Sequence, residues 1–277
     1  MTGAAHITNV LAEKMGEDET IHLLGESLPL SPVCSSLLVK YPERCHLLPA
    51  ADATLVGVAI GLALSGKKPV VELSGPEALW GALQQIGQEA AHLSSEFDAT
   101  LVLRVPLAPN AMDPSPLLNS VHNVRVVSPA EPADAGSLIG TALRSKGVTI
   151  SLEPLTVLGS TGGTSGTGLG ARVLDAGDHV TLIAWGPGVR EAKIAAKTLS
   201  KEGISSEIID LRSLAPLDVD TIADSVSKTG RVILVGGSSL MMNATINAAF
   251  LRLESPPTQV GQAATEIVTK ARAAIQY

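Results

Sequence analysis

The sequence predicts an α/β protein built from two open, mostly parallel-sheet domains. Short apolar runs alternate with longer helical patterns along most of the 277 residues, an order typical of parallel strands joined by right-handed helical crossovers. Hydrophobic residues make up 45% of the chain but aromatic residues only 2%, so we expect an aliphatic core. A Gly/Ser/Thr-rich stretch at residues 155–170 separates the two alternating series.

The first domain is predicted over residues 1–154. Apolar runs bounded by turn residues indicate its strands, and apolar residues at helical spacing indicate its helices. Residues 106–116 contain four prolines without periodicity and predict a loop. The expected strands are 20–25, 46–48, 70–73, 100–105, 124–127 and 148–152, and the expected helices are 5–16, 35–40, 53–65, 76–94 and 132–144.

Residues 155–170 predict a linker, because glycine, serine and threonine leave little to bury. The alternative, a phosphate-binding loop, lacks the lysine and the following helix that such loops use. The second domain is predicted over residues 171–277. Its expected strands are 179–184, 206–211 and 231–235, and its expected helices are 189–202, 219–227, 243–253 and 265–275.

The composition excludes several classes of partner. A formal net charge of −7 argues against a nucleic-acid groove or an anionic membrane surface. Cys34 and Cys45 have no metal-binding spacing and indicate ordinary thiols. The polar N-terminus shows no secretory signal, and the apolar run 55–64 is shorter than the roughly 20 residues of a membrane span. We therefore expect a soluble cytoplasmic protein.

Residues 48–75 contain the strongest local signal. Asp52 precedes an apolar helix in which Gly57 and Gly61 share one face. A carboxylate at this junction has two interpretations: it caps the free backbone N–H groups of the helix, or it belongs to a site. Glu26, at the end of the first predicted strand, also has two interpretations. It is a solvated turn acid or a site carboxylate.

A nucleotide-binding turn is a further alternative in the second domain. Gly186-Pro187-Gly188 follows a strand, but Glu191 occupies the position of the third glycine in the dinucleotide fingerprint. Without that glycine the pattern favours a plain strand–helix turn.

Five stretches resemble the beta subunit of the decarboxylating component of 2-oxo acid dehydrogenases, of the pyruvate and branched-chain type. They are residues 21–27, 40–73, 83–93, 125–143 and 178–235. The resemblance runs in order along most of the chain. It implies a pyrimidine-binding α/β domain at residues 1–154 and a transketolase C-terminal-type domain at 171–277.

That family completes a thiamine diphosphate site with an alpha subunit, which holds the diphosphate and Mg. The resemblance implies an alpha2beta2 assembly or a homodimer, and a lipoyl-bearing acyltransferase that receives the acyl group. Asp52 falls where the family has the glutamate that hydrogen-bonds the aminopyrimidine, so it is the catalytic candidate. The implied cofactor-binding residues are Glu26, Ala50, Ala51, Asp52 and Ser74.

The sequence also departs from the family within this site. Asp52 is one methylene shorter than glutamate, roughly 1.5 Å of lost reach, about the distance over which a hydrogen bond fails. Residues 74–78 carry no aromatic side chain, and residues 108–115 carry no histidine. Two functions follow: a subunit for oxidative decarboxylation of a 2-oxo acid with acyl transfer to lipoyl, or a catalytically degenerate homologue that acts as a structural or regulatory partner.

Overall fold

The computed structural model describes residues 1–49, 51–118, 120–236 and 239–276. The chain divides into two compact units, Met1–Leu169 and Gly170–Tyr277. Within the described residues, no helix is both long and apolar enough to cross a membrane.

The first unit contains a sheet in which neighbouring strands are parallel, with the spatial order β5-β6-β4-β3-β1-β2. This confirms the predicted α/β class. In chain order its elements are α1 (Gly3–Glu17), β1 (Ile21–Gly25), α2 (Ser35–Lys40), β2 (Cys45–Leu47), α3 (Asp52–Leu64), β3 (Lys68–Glu72), α4 (Glu77–Gly81), α5 (Leu93–Glu96), β4 (Thr100–Leu107), α6 (Ser115–Leu118), β5 (Val124–Val127), α7 (Pro132–Ala142), β6 (Gly147–Pro154) and α8 (Leu155–Gly159).

The core of the first unit lies on the central strands. Every residue of β6 is buried and so is nearly all of β4, as expected for parallel strands covered on both faces. Helices α1 and α7 pack together, with Ile7 and Leu11 of α1 and Ile139 of α7 in one cluster with residues of β1 and β3. Because the strands are parallel, β1, β3, β4 and β6 all end at the same edge of the sheet, and the site lies there.

The second unit contains a sheet of order β12-β11-β8-β9-β7, in which the edge strand β7 is antiparallel to β9 and the other neighbours are parallel. The sequence did not predict the short strands β7, β10 and β12. Each spans four residues or fewer, too short for a clear period. The elements are β7 (Arg172–Asp175), β8 (Val180–Ala184), α9 (Gly188–Ser200), β9 (Ser206–Asp210), β10 (Ser213–Ala215), α10 (Val219–Thr229), β11 (Val232–Val235), α11 (Ser239–Ala249), β12 (Thr258–Val260) and α12 (Ala264–Gln276).

The helix predicted at residues 76–94 is wrong as a single element. The structure has α4, then a π-helical turn at Gln85–Glu89, a 3₁₀ turn at Ala90–His92, and α5. Gly81 ends α4, and glycine is a poor residue for a helix interior. The apolar spacing indicates helical structure in these residues, but it does not distinguish one regular helix from a series of short helical pieces and turns.

The glycine-rich stretch at 155–170 begins with α8 and is then held by α7 and the residue before it. The Thr164 amide donates to Glu131 Oε2 at 2.6 Å and the Gly166 amide donates to Asp134 Oδ1 at 2.9 Å. The predicted linker therefore contains a helix and ordered hydrogen bonds. The domain boundaries at 154 and 171 stay predictions.

Close packing of α1 on α7 gives a stability test. A Cβ at Gly136 would lie 2.7 Å from the backbone oxygen of His6, whereas one at Gly140 would meet side-chain atoms, a Val10 methyl at 3.1 Å and Arg144 Nη1 at 3.7 Å. We expect Gly136→Ala to lower the free energy of unfolding by about 1–2 kcal/mol, because a backbone contact has to move. Urea denaturation measures this change.

Gly140→Ala is the matched control in the same helix. It gains the same helix propensity of about 1 kcal/mol but meets only side-chain atoms, of which the Val10 methyl has to give by a few tenths of an ångström. We expect its free energy of unfolding to equal or exceed that of the wild type. Equal losses in both variants would contradict the packing argument.

Candidate functional site

Three of the residues singled out from the sequence line one small cleft. Glu26 directly follows β1, Asp52 begins α3, and Ser74 follows β3; together with neighbouring residues they enclose about 30 Å³. Ala51 precedes α3 as its N-cap residue and is exposed. Ala50 lies outside the described residues. The structure therefore brings together Glu26, Asp52 and Ser74, which are far apart in sequence.

Asp52 does not have the capping geometry considered from the sequence. It is the first residue of α3, the N-cap position belongs to Ala51, and no side-chain cap hydrogen bond is made there. A Cβ on Gly81 would lie 3.1 Å from Asp52 Oδ2, so the glycine at the end of α4 leaves room for this carboxylate. As an acid in the first turn, Asp52 still has a favourable interaction with the helix dipole.

A large cavity of about 700 Å³ adjoins the small cleft, and Ser27, Glu72, Leu73 and Ser74 line both. Its walls come from the loops after β1, β3 and β4 and from the start of α8. Among the described residues that line it, none is aromatic and none is histidine. The losses inferred from the sequence therefore coincide with an actual cavity. The apolar lining residues are Leu30, Pro32, Leu73, Pro76, Pro106, Ala108, Pro109, Ala111 and Leu155.

A buried ion network, here called the Arg104 network, lies beneath the cavity. Arg104 of β4 donates from Nη1 to Glu72 Oε2 at 2.5 Å. It also donates from Nε and Nη2 to the two oxygens of Glu153, at 3.0 and 2.7 Å. Side-chain exposure is 2% for Arg104, 0% for Glu153 and 16% for Glu72. Glu72 is therefore the member that reaches the cavity.

Two side chains from the loop before α2 and its first turn complete the Arg104 network. The Ser31 hydroxyl donates to Glu72 Oε2 at 2.8 Å and accepts the backbone N–H groups of Val33 and Cys34. The Cys34 Sγ lies 3.4 Å from both Glu72 Oε2 and Arg104 Nη1. This loop is therefore attached to the ends of β3 and β4.

The ionisation of the Arg104 network follows from burial and pairing. Burial disfavours the charged guanidinium, but attraction to the carboxylates of Glu153 and Glu72 outweighs it and raises the pKa of Arg104. Burial raises the pKa of the Cys34 thiol to about 12, although the charge of Arg104 opposes this. Arg104 is thus a permanent cation beside a neutral thiol.

Sequence reasoning missed the Arg104 network. A signal was present: Glu72, Arg104 and Glu153 are ionisable residues inside or at the end of otherwise apolar strands. In the register of the sheet, Glu72 pairs with Arg104 across β3 and β4. Buried charges of this kind require partners, but the sequence does not show which strands are neighbours.

The model of the family "Transketolase, C-terminal domain" matches residues 170–276. Among curated proteins, the chain is 29% identical to the pyruvate dehydrogenase E1 component subunit beta of Acholeplasma laidlawii, covering 91% of this chain and 86% of that one. It is 31% identical to the mitochondrial 2-oxoisovalerate dehydrogenase subunit beta of Dictyostelium discoideum, covering 92% and 77%.

Among solved structures, the chain is similar to a split gene transketolase described as an inactive beta4 tetramer. The TM-score is 0.87 and the sequence identity 22%, covering 100% of this chain and 98% of that one. The fold is therefore that of the transketolase class. The sequence relatives identify the family within this class. The chain belongs to the family of beta subunits of 2-oxo acid dehydrogenases.

The thiols give a direct test of the site geometry. Cys34 is 2% exposed and Cys45 8%, and burial raises the pKa of Cys45 to about 11. Because the pKa of the Cys34 thiol is raised far above pH 8, the thiol is in its unreactive neutral form at that pH. We expect no reaction with Ellman's reagent within minutes in the folded chain, and two thiols per chain in guanidinium. Rapid reaction of Cys34 in the native protein would contradict its place in the Arg104 network.

Proposed function

We propose that this chain is the beta-type subunit of a thiamine diphosphate-dependent 2-oxo acid dehydrogenase. It completes the cofactor site with an alpha subunit, for oxidative decarboxylation of a 2-oxo acid and transfer of the acyl group to lipoyl. The single observation that carries the proposal is the convergence of Glu26, Asp52 and Ser74 on one cleft at the carboxyl edge of the sheet, where α/β folds bind ligands.

The hydrogen-bonding groups of this cleft fit an aminopyrimidine. Among the described residues, no protein group donates a hydrogen bond to Asp52, so its carboxylate is available to accept one from a ligand N–H. Glu26 supports the same site from the end of β1, and Ser74 contributes a hydroxyl after β3. Bound thiamine diphosphate supplies the electron sink that decarboxylation of a 2-oxo acid requires. The part of this chain is to orient the pyrimidine ring and hold a proton at its nitrogen.

The diphosphate and its Mg are assigned to the alpha subunit. Within the described ranges, no group of three or more His, Cys, Asp or Glu residues could hold a metal ion. The acyl acceptor would be a lipoyl-bearing acyltransferase.

A second function is favoured by a specific observation, the mainly apolar and histidine-free lining of the large cavity among its described residues. Without histidine, this wall offers no imidazole for proton transfer to the substrate. On this proposal the chain keeps the scaffold and the assembly surface, and acts as a structural or regulatory partner of catalytic subunits.

Helix α3 supports assembly under both functions. A Cβ at Gly57 or Gly61 would meet no atom of this chain within 4 Å. Val58 and Leu64 are 41% and 48% exposed. A helix that is apolar on all sides is typically buried, so the open face of α3 fits a subunit interface. An alpha2beta2 tetramer or a homodimer would cover it.

The role of Asp52 is tested in the complex reconstituted with the alpha subunit. We expect Asp52→Ala to lower turnover of the 2-oxo acid by about 10²–10⁴-fold, the usual worth of a positioned acid–base group. The melting temperature should stay within a few degrees, because Asp52 makes no cap hydrogen bond. Asp52→Glu, which restores the longer carboxylate of the family, should retain turnover.

Titration calorimetry with thiamine diphosphate and Mg separates the two functions. If the mixture of the wild-type chain and the alpha subunit gives a heat of binding, the result supports the enzymatic function. Loss of that heat in Asp52→Ala places the pyrimidine ring at Asp52. No binding by the mixture, with both chains folded and associated, refutes the enzyme and leaves the structural or regulatory partner.

Light scattering tests the face of α3. A Cβ at position 61 has open space around it, so the fold of Gly61→Leu should persist while the assembly falls to monomers. Ser200→Leu, an equally bulky change at an exposed position of α9, is the control and should assemble as the wild type does. An intact oligomer in Gly61→Leu would remove this face from the interface.

A further inference from the structure

Glu72 has one oxygen saturated and the other unused. Its Oε2 accepts from Arg104 at 2.5 Å and from Ser31 at 2.8 Å, with the Cys34 thiol at 3.4 Å. Among the described residues, no group donates to Oε1. The side chain is 16% exposed and lines both the large cavity and the small cleft. A carboxylate pinned through one oxygen thus presents the other to a binding space.

The charge of the Arg104 network is not balanced internally. Glu72 and Glu153 each contribute −1 and Arg104 contributes +1, so the formal sum is −1. Arg104 places two hydrogen bonds on the fully buried Glu153 and one on Glu72, so Glu153 is its two-bond partner. The uncompensated negative charge therefore belongs to the end of the network that faces the cavity, at Glu72.

The surroundings of Glu72 indicate what kind of ligand completes it. The large cavity is lined mainly by apolar side chains, including Leu30, Pro32, Pro76 and Leu155, and its lining residues include no Lys, Arg or His among those described. Such a lining favours an apolar or ring-shaped ligand. The open oxygen of Glu72 accepts an N–H donor, and it repels a free carboxylate or phosphate.

We propose that Glu72 is a ligand-contacting residue of this cavity, that Arg104 is its positioning residue, and that the ligand is a ring carrying an amino or amidine N–H donor. The inference rests on the proposed function only for the identity of the natural ligand, the aminopyrimidine ring. It stands on its own for the chemical class.

The experiment uses the full chain and a small probe, 4-amino-2-methylpyrimidine, followed by NMR. Binding to the wild type should be saturable and should shift the backbone amide signals of Ser74, Asn110 and Ala111, which line the large cavity. The comparison probe, 4-methoxy-2-methylpyrimidine, has the same ring and no N–H donor. It should bind more weakly by about tenfold, the usual gain from a charge-assisted hydrogen bond.

Glu72→Gln removes the charge and keeps the shape. The remaining Arg104–Glu153 pair is balanced, so the variant should fold, as circular dichroism will show. It should bind the amino probe about tenfold more weakly than the wild type does, and bind the methoxy probe unchanged. Equal affinity of both proteins for the amino probe would overturn the assignment of Glu72.

Glu77→Gln is the matched control, because Glu77 lines the same cavity but is exposed and lies outside the Arg104 network. Its affinity for the amino probe should change less than twofold. If Glu77→Gln loses as much affinity for the amino probe as Glu72→Gln does, the probe responds to the general negative potential of the cavity. That result would overturn the assignment of Glu72 as a specific hydrogen-bond acceptor.

Arg104→Lys tests positioning, since an ammonium group cannot hold two carboxylates in a fixed fork. Affinity for the amino probe should fall although Glu72 is intact, and unchanged affinity would remove Arg104 from this role. These probes contain no diphosphate, so failure of the proposed cofactor function and failure of this inference give different results.

Discussion

The buried guanidinium of Arg104 is the constraint on which the first unit depends. Strands β6, β4 and β3 are adjacent in the sheet, and Arg104 joins all three through Glu153 and Glu72. An unpaired charge in this interior would cost several kcal/mol. Because a slip of one residue would turn these side chains to the opposite face, the pairing specifies the register of the strands as well as the positions of their ends.

The binding spaces follow from that arrangement. Glu72 lies at the point where the small cleft and the large cavity meet, and Ser31 ties the loop after β1 to it. Asp52 reaches the same place from α3, with Gly81 leaving room for its carboxylate. Two acidic side chains thus arrive from separate elements at one edge of the sheet, one pinned by a cation and one free of cap hydrogen bonds.

The scaffold and the site of this family member have diverged to different degrees. The second unit matches the model of the transketolase C-terminal domain over residues 170–276, whereas the cavity is lined mainly by apolar residues and its described lining residues include no histidine. A core tolerates few changes, because each methylene is felt by its packed neighbours. Loop residues at the edge of a sheet are free of that constraint, so the chemistry of a pocket can change while its fold persists.

The sequence by itself determined the α/β class, nearly every long strand and helix, and the family. The class and the elements depend on local periodicity and on residues that are close together in the chain, and the family depends on a resemblance that runs in order along the chain. It also identified Asp52 and Glu26, since both stand at the ends of readable elements. Only the tertiary structure decided that Asp52 is not a cap, that residues 77–96 form irregular turns, and that Glu72, Arg104 and Glu153 meet. Those facts depend on contacts between residues as many as 49 positions apart, and no local pattern records which strands become neighbours.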